Sequence, residues 1–218
     1  MTRLVLALVI ALVASILVSG CAPVVIGAAA AGGAAVAVDR RTADTQLADE
    51  RIEFTASKWI GEKILEQGHV NIVSYNKMVL LTGETTTEAL KQEVGKLAAG
   101  ATDVKDVVND ITIGPLAPLS SRSNDAYLTS VVKTRFVGEQ KFNPLHVKVV
   151  TENGVVYLLG LVTRKEADDA TNIARHVSGV KRVVRVFEYI PDPPPAATPA
   201  SKPAPAMMVK QRPLAWPR

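Results

Sequence analysis

The sequence predicts an α+β protein made of two tandem copies of one small αββαβ unit, each a mixed sheet with two helices on one face. Three observations carry that expectation. The chain repeats itself: residues 69–83 lie over residues 146–160 without a gap, and seven of those fifteen positions are identical. Each copy has paired apolar runs around a short polar turn, which is the mark of a hairpin. On either side of each hairpin, apolar residues recur at helical spacing.

The elements follow in order. Copy one opens with an amphipathic helix, because Ile52, Ala56, Ile60 and Ile64 share a face at i,i+4 spacing, with Trp59 beside them. Strands over 70–75 and 78–83 come next and turn at Asn76-Lys77. A second helix spans about Thr87–Ala99, and the alternation of Val107, Asn109, Ile111 and Ile113 marks a last strand. Copy two repeats this plan. Leu128, Val132 and Phe136 form the first helical face, with Asn124 or Asp125 expected as its N-cap. Strands 146–151 and 155–162 turn at Asn153-Gly154, a helix covers about 164–177, and a strand runs through Val184, Val186 and Phe187 to Ile190. Gly83 and Gly160 read as strand ends where the departing chain needs φ > 0. Gly100 and Gly179 read as C-cap residues of the second helices.

The expected boundaries are a signal peptide over 1–20, a small-residue tether over 21–45, the units at 46–114 and 124–190, a linker at 115–123 and a tail at 191–218. The linker holds two prolines, and the tail holds nine of the chain's thirteen, so tether and tail are expected to be disordered. A net charge of +4 spread along 218 residues is not the clustered basic patch that nucleic acid needs, so no nucleic-acid partner is expected.

The first 21 residues carry an export signal. Arg3 supplies the positive start, Leu4–Leu17 an uncharged apolar stretch, and Val18-Ser19-Gly20 a small-residue cleavage site before Cys21. Residues 17–21 resemble the lipobox of bacterial lipoproteins, which implies cleavage before Cys21 and lipid attachment to it. An uncleaved membrane helix is the alternative, but the apolar stretch is short for a span, and Pro23 and Gly32-Gly33 interrupt its extension. Ala22 stands where lipoproteins retained at the inner membrane usually carry Asp, which implies an outer-membrane destination facing the periplasm. Cys21 is the only cysteine, so no internal disulfide or thiolate cluster can form.

The runs 156–160 and 178–183 fit the pattern hydrophobic-x-Leu-x-Gly, helix, Gly-Val-x-x-Val of the BON domain, and residues 79–83 and 100–107 fit it more loosely. A lipobox followed by two such units resembles the dual-BON lipoproteins of Gram-negative outer membranes. That resemblance implies binding of anionic phospholipid, of the phosphatidylglycerol type, through the second unit. It also implies support of outer-membrane integrity near the division site, the outer-membrane protein assembly machinery as a partner, and no catalysis.

The lipid contacts implied by the resemblance lie on the first helix of the second unit. With Leu128, Val132 and Phe136 facing the sheet, Tyr127, Val131 and Thr134 line a neighbouring face, with Lys133 at its edge and Arg135 nearby. Tyr127 suits headgroup depth, and Lys133 and Arg135 offer charge to a phosphate. Relatives carry Trp at 127 and a base at 131, so this chain departs from the pattern there. The alternative is that Tyr127 and Val131 pack on the other domain or cover an edge. His69, His146 and His176 form no recognisable catalytic set, and no phosphate loop, nucleophile elbow or metal-ligand cluster is visible. No enzyme activity, cofactor or metal is therefore expected. A scaffold binding an envelope protein or peptidoglycan is the second functional class.

Overall fold

The computed structural model describes residues 39–65 and 67–192. The expected signal peptide, Cys21 and the proline-rich tail lie outside the described residues. Helix α1 (Ala43–Ile64) is followed by β1 (Gly68–Tyr75), β2 (Met78–Thr85), α2 (Glu88–Ala99), β3 (Asp106–Asn109) and the short β4 (Thr112–Ile113). The second unit runs α3 (Leu119–Glu139), a 3-10 turn (Pro144–His146), β5 (Lys148–Glu152), β6 (Val155–Val162), α4 (Arg164–Arg175) and β7 (Arg182–Tyr189). In both, an antiparallel hairpin is extended by a parallel strand, so β2 and β6 are central.

Local chemistry explains most boundaries. The hydroxyls of Thr42, Thr87 and Thr163 accept from Thr45, Leu90 and Glu166 amides at the starts of α1, α2 and α4. Glu166 also accepts from the Thr163 amide, closing a capping box. Both hairpins turn through two left-handed residues, Asn76 and Lys77 at φ 53° and 69°, and Asn153 and Gly154 at 52° and 77°. That backbone twist matches the strands it joins.

Four local expectations are corrected. α3 begins at Leu119, inside the stretch expected as linker, with Pro118 before it, so neither Asn124 nor Asp125 is its N-cap. Asp125 is instead buried and accepts from the Asn153 and Gly154 amides, both at 2.8 Å. His146 lies in the 3-10 turn rather than in a strand, because Pro144 favours a turn there. Gly83 and Gly160 lie within their strands, where Gly83 has the expected positive φ, 111°, and Gly160 does not. A Cβ at either would strike the carbonyl oxygen of His69 or His146, so close backbone approach calls for glycine at both and is the sole reason at Gly160. Gly100 does cap α2, yet in right-handed geometry, whereas Gly179 turns at φ 94° several residues beyond α4.

Strand alternation sorts the core into three layers. Val79 and Leu81 face α1 and α2, while Val156, Leu158 and Val162 face α3 and α4. The opposite faces, with Val73, Tyr75 and Leu80 from one sheet and Val150, Tyr157, Leu159 and Val186 from the other, pack together. The molecule is thus a helix–sheet–sheet–helix sandwich with the two units back to back.

Polar bonds ring the seam. Arg40 donates to both Glu166 oxygens, at 2.6 and 2.9 Å, and to the Leu161 carbonyl at 2.8 Å. Tyr157 donates to Asp110 at 2.8 Å, Asn76 to Glu188 at 2.7 Å, and Lys148 to Glu53 at 3.0 Å. Asn153 donates to Glu84 beside the buried Glu152.

Candidate lipid-binding surface

The buried stripe of α3 is Leu128, Val132 and Phe136, as helical spacing requires, so the residues between them define its outer surface. Tyr127 is 65% exposed, and Lys133, Thr134 and Arg135 are exposed as well. Thr134 turns its hydroxyl back to the Ser130 carbonyl at 2.8 Å, which occupies its donor. Val131 is half-buried and packs against the core of the second unit, so its apolar character serves that core. The alternative that it packs on the other domain does not hold.

The five expected residues do not converge on one point. Lys133 alone among them enters a groove of about 420 Å3 between the end of α3, the 3-10 turn and the start of the first unit. Its walls are Arg41, Tyr75, Phe136, Val137, Pro144, Leu145, Val147 and Lys148. Three bases line it and no acid does. Val137 and Leu145 stand 61% and 58% exposed at the rim. The Arg41 guanidinium lies 4.1 Å over the Tyr75 ring and pairs with Asp39 and Asp49, which holds that wall rigid. Tyr127, Thr134 and Arg135 lie outside the groove on the adjoining helix surface.

Arg41 is paired with Asp39 and Asp49 and Lys148 with Glu53, so among the described residues Lys133 is the base the groove offers free of an acid, beside apolar side chains that reach solvent. That combination suits an anionic headgroup with the upper part of an acyl chain. Val137 was the overlooked residue on the helix. Its position, one turn after Lys133, places it beside that base and could have been read from spacing. Leu145 and Lys148 reach it through the fold of the second unit and Arg41 through the docking of the two units, so none of the three carried such a signal. Among the described residues no group of three His, Cys, Asp or Glu could hold a metal ion, and no helix is long and apolar enough to cross a membrane.

The BON domain family model matches residues 48–115 and 124–191. The chain is also 40% identical over 185 residues to the outer membrane lipoprotein DolP of Haemophilus influenzae, covering 84% of this chain and 95% of that one. The chain is a dual-BON protein of the DolP family. A 21 kDa hemolysin of Actinobacillus pleuropneumoniae is 35% identical over 157 residues, 70% of this chain and 80% of that one. Among solved structures, CdsD of the Chlamydia trachomatis type III secretion system covers 64% of this chain and 92% of its own at 14% identity, with a TM-score of 0.27. A likeness that low adds nothing to the reading of this DolP-family fold.

Proposed function

We propose that this chain is an outer-membrane lipoprotein, anchored through lipid on Cys21 and facing the periplasm, that binds anionic phospholipid through its second BON domain. Its role on that reading is to support outer-membrane integrity near the division site, and not catalysis. The observation that carries it is the groove beside α3, where Arg41, Lys133 and Lys148 meet the exposed Val137 and Leu145. Family membership and the lipobox-like residues 17–21 support the anchor.

The test is a nuclear magnetic resonance titration of the protein with phosphatidylglycerol micelles against phosphatidylcholine micelles. Shifts concentrated on residues 127–137 and 145–148, seen only with phosphatidylglycerol, are expected. Lys133→Glu places an acid in the groove and should weaken binding about tenfold or more, the equivalent of removing one attractive charge and adding a repulsive one near the surface. Absence of shifts in that region, or equal shifts with both lipids, contradicts the proposal. Shifts with peptidoglycan fragments instead would favour the scaffold.

A further inference from the structure

The first helices of the two units share a buried face but not an outer one. Ile52, Ala56 and Ile60 of α1 take the places of Leu128, Val132 and Phe136 of α3, and all six are buried. Asp49 and Asp125 fix the same register, since each binds the amides of its own hairpin turn. On the outer face that register sets Leu47 against Ser123, Arg51 against Tyr127 and Phe54 against Ser130. Leu47 and Phe54 are 54% and 75% exposed and, seven positions apart, lie on one stripe with Arg51 and Lys58. They border a shallow depression of about 540 Å3. The second unit folds with serines at both positions, so the fold itself does not call for apolar residues there. Exposed apolar side chains gathered on one face mark a contact surface.

We infer that the Leu47–Phe54 face of α1 rests on the bilayer to which the chain is anchored, by apolar insertion that does not depend on headgroup charge. This rests on the reading of Cys21 as the lipid attachment site. Two observations select a bilayer as the occupant. The described fold begins at Asp39 and α1 at Ala43, so this helix is the first described element behind the anchor. The charges around the stripe also give no basic surface, Arg51 and Lys58 standing against Asp44, Glu50 and Glu62. The groove beside α3, by contrast, presents Lys133 without an acidic partner among the described residues. A surface without net positive charge gains nothing from anionic headgroups, while Leu and Phe gain from entering the headgroup boundary as the stems of Arg51 and Lys58 lie along it.

A consequence follows from the sandwich. The helices cover opposite outer sides of the paired sheets, so the outer faces of α1 and α3 look away from one another. The groove beside α3 opens at the seam instead, with Arg41 just ahead of α1 on its wall, so the α1 stripe and the groove are separate surfaces that are tested separately.

The test uses the full lipidated chain in phosphatidylcholine vesicles containing a headgroup spin-labelled lipid. Lipid occupies the thiol of Cys21, so Thr55→Cys supplies one site for a fluorophore beside Phe54. Quenching of that label is expected, and Leu47→Ser with Phe54→Ser should reduce it about tenfold or more, since two inserted apolar side chains are lost. Those serines are the residues α3 carries, so the variant should fold. An unquenched label, a label quenched equally in the double variant, or copies that crosslink at position 55 without quenching would overturn the inference. A label at Ser130→Cys, read on phosphatidylglycerol vesicles, separates the two lipid surfaces: silence there sinks the headgroup site on α3 and leaves this contact standing. Protein that fails to float with the vesicles removes the anchor and this contact together.

Discussion

At the scale of single residues, the acids are what distinguish this fold from a generic α+β unit. Asp125 receives the Asn153 and Gly154 amides at 2.8 Å, and Asp49 receives those of Asn76 and Lys77 at 2.8 and 2.7 Å, so each first helix clamps its own hairpin turn. Charge-assisted bonds to buried amides are among the stronger ones, and their loss leaves those donors unpaired. Asp125→Ala should therefore cost about 2–4 kcal/mol in a urea melt, and Asp125→Asn less, because it can still accept one bond. Glu152 behaves oppositely. Burial first, and then the charges of Glu84 and Asp125, push its carboxyl up to about 7. A carboxyl raised above its unfolded value of 4.5 contributes stability below that value and loses it as pH rises toward 7. Glu152→Gln should remove this loss, making the variant the more stable protein at pH 8 relative to its standing at pH 5. Melting temperatures at the two pH values measure it, and an unchanged difference between variant and parent would contradict the assignment.

At the scale of elements, the two hairpins show how closely backbone approach constrains a strand. A Cβ on Gly160 would meet the His146 carbonyl oxygen, and since Gly160 lacks a positive φ the penalty is purely steric. Gly160→Ala should destabilise by about 2 kcal/mol or more, because backbone rather than a side-chain tip must move. On α1 the same change runs the other way. Nothing lies within 4 Å of a Cβ on Gly61, so Gly61→Ala should stabilise by up to about 1 kcal/mol through helix propensity. Paired denaturation curves of the two variants compare a strand glycine held by contact with a helix glycine held by nothing visible. A Gly160→Ala variant as stable as the parent would refute the steric account, and a destabilised Gly61→Ala variant would refute the propensity account of α1.

At the scale of the whole molecule, the back-to-back sheets hold the two units in one arrangement. Arg40, just ahead of α1, crosses to the start of α4 and binds both oxygens of Glu166. Burial by itself would raise Glu166, but the Arg40 bonds, the Thr163 amide and the Arg40 charge hold its carboxyl down at about 2. A carboxyl held below 4.5 contributes stability above that pH and loses it as pH falls toward 2, so this part of the seam weakens in acid while Glu152 is relieved. Arg40→Ala should cost about 1–2 kcal/mol and open the seam to hydrogen exchange around Leu161 and Glu166. Unaltered exchange there would show that the apolar contact of the sheets suffices without the bridge.

The repeat, the helical faces, both hairpin turns and the BON pattern were legible in the sequence, because each depends on residues a few positions apart. Ile52 to Ile64, Leu128 to Phe136 and Asn153-Gly154 declare their structure locally. Asp125 could not be read that way: an acid near a helix start looks like a cap until its hairpin folds back on it. Of the expected lipid-contact residues, sequence spacing placed Tyr127, Lys133, Thr134 and Arg135 on the surface of α3, and it misjudged Val131, which the core of the second unit claims. Leu145 and Lys148 join Lys133 through the second unit's own fold, whereas Arg41 and Tyr75 reach that groove only because the sheets dock through the cluster of Leu80, Tyr157 and Leu159, a pairing between distant residues that no local pattern encodes. Periodicity determined which faces are apolar. The tertiary structure alone decided which apolar faces meet, since one sheet face cannot reveal its occupant before the chain brings it there.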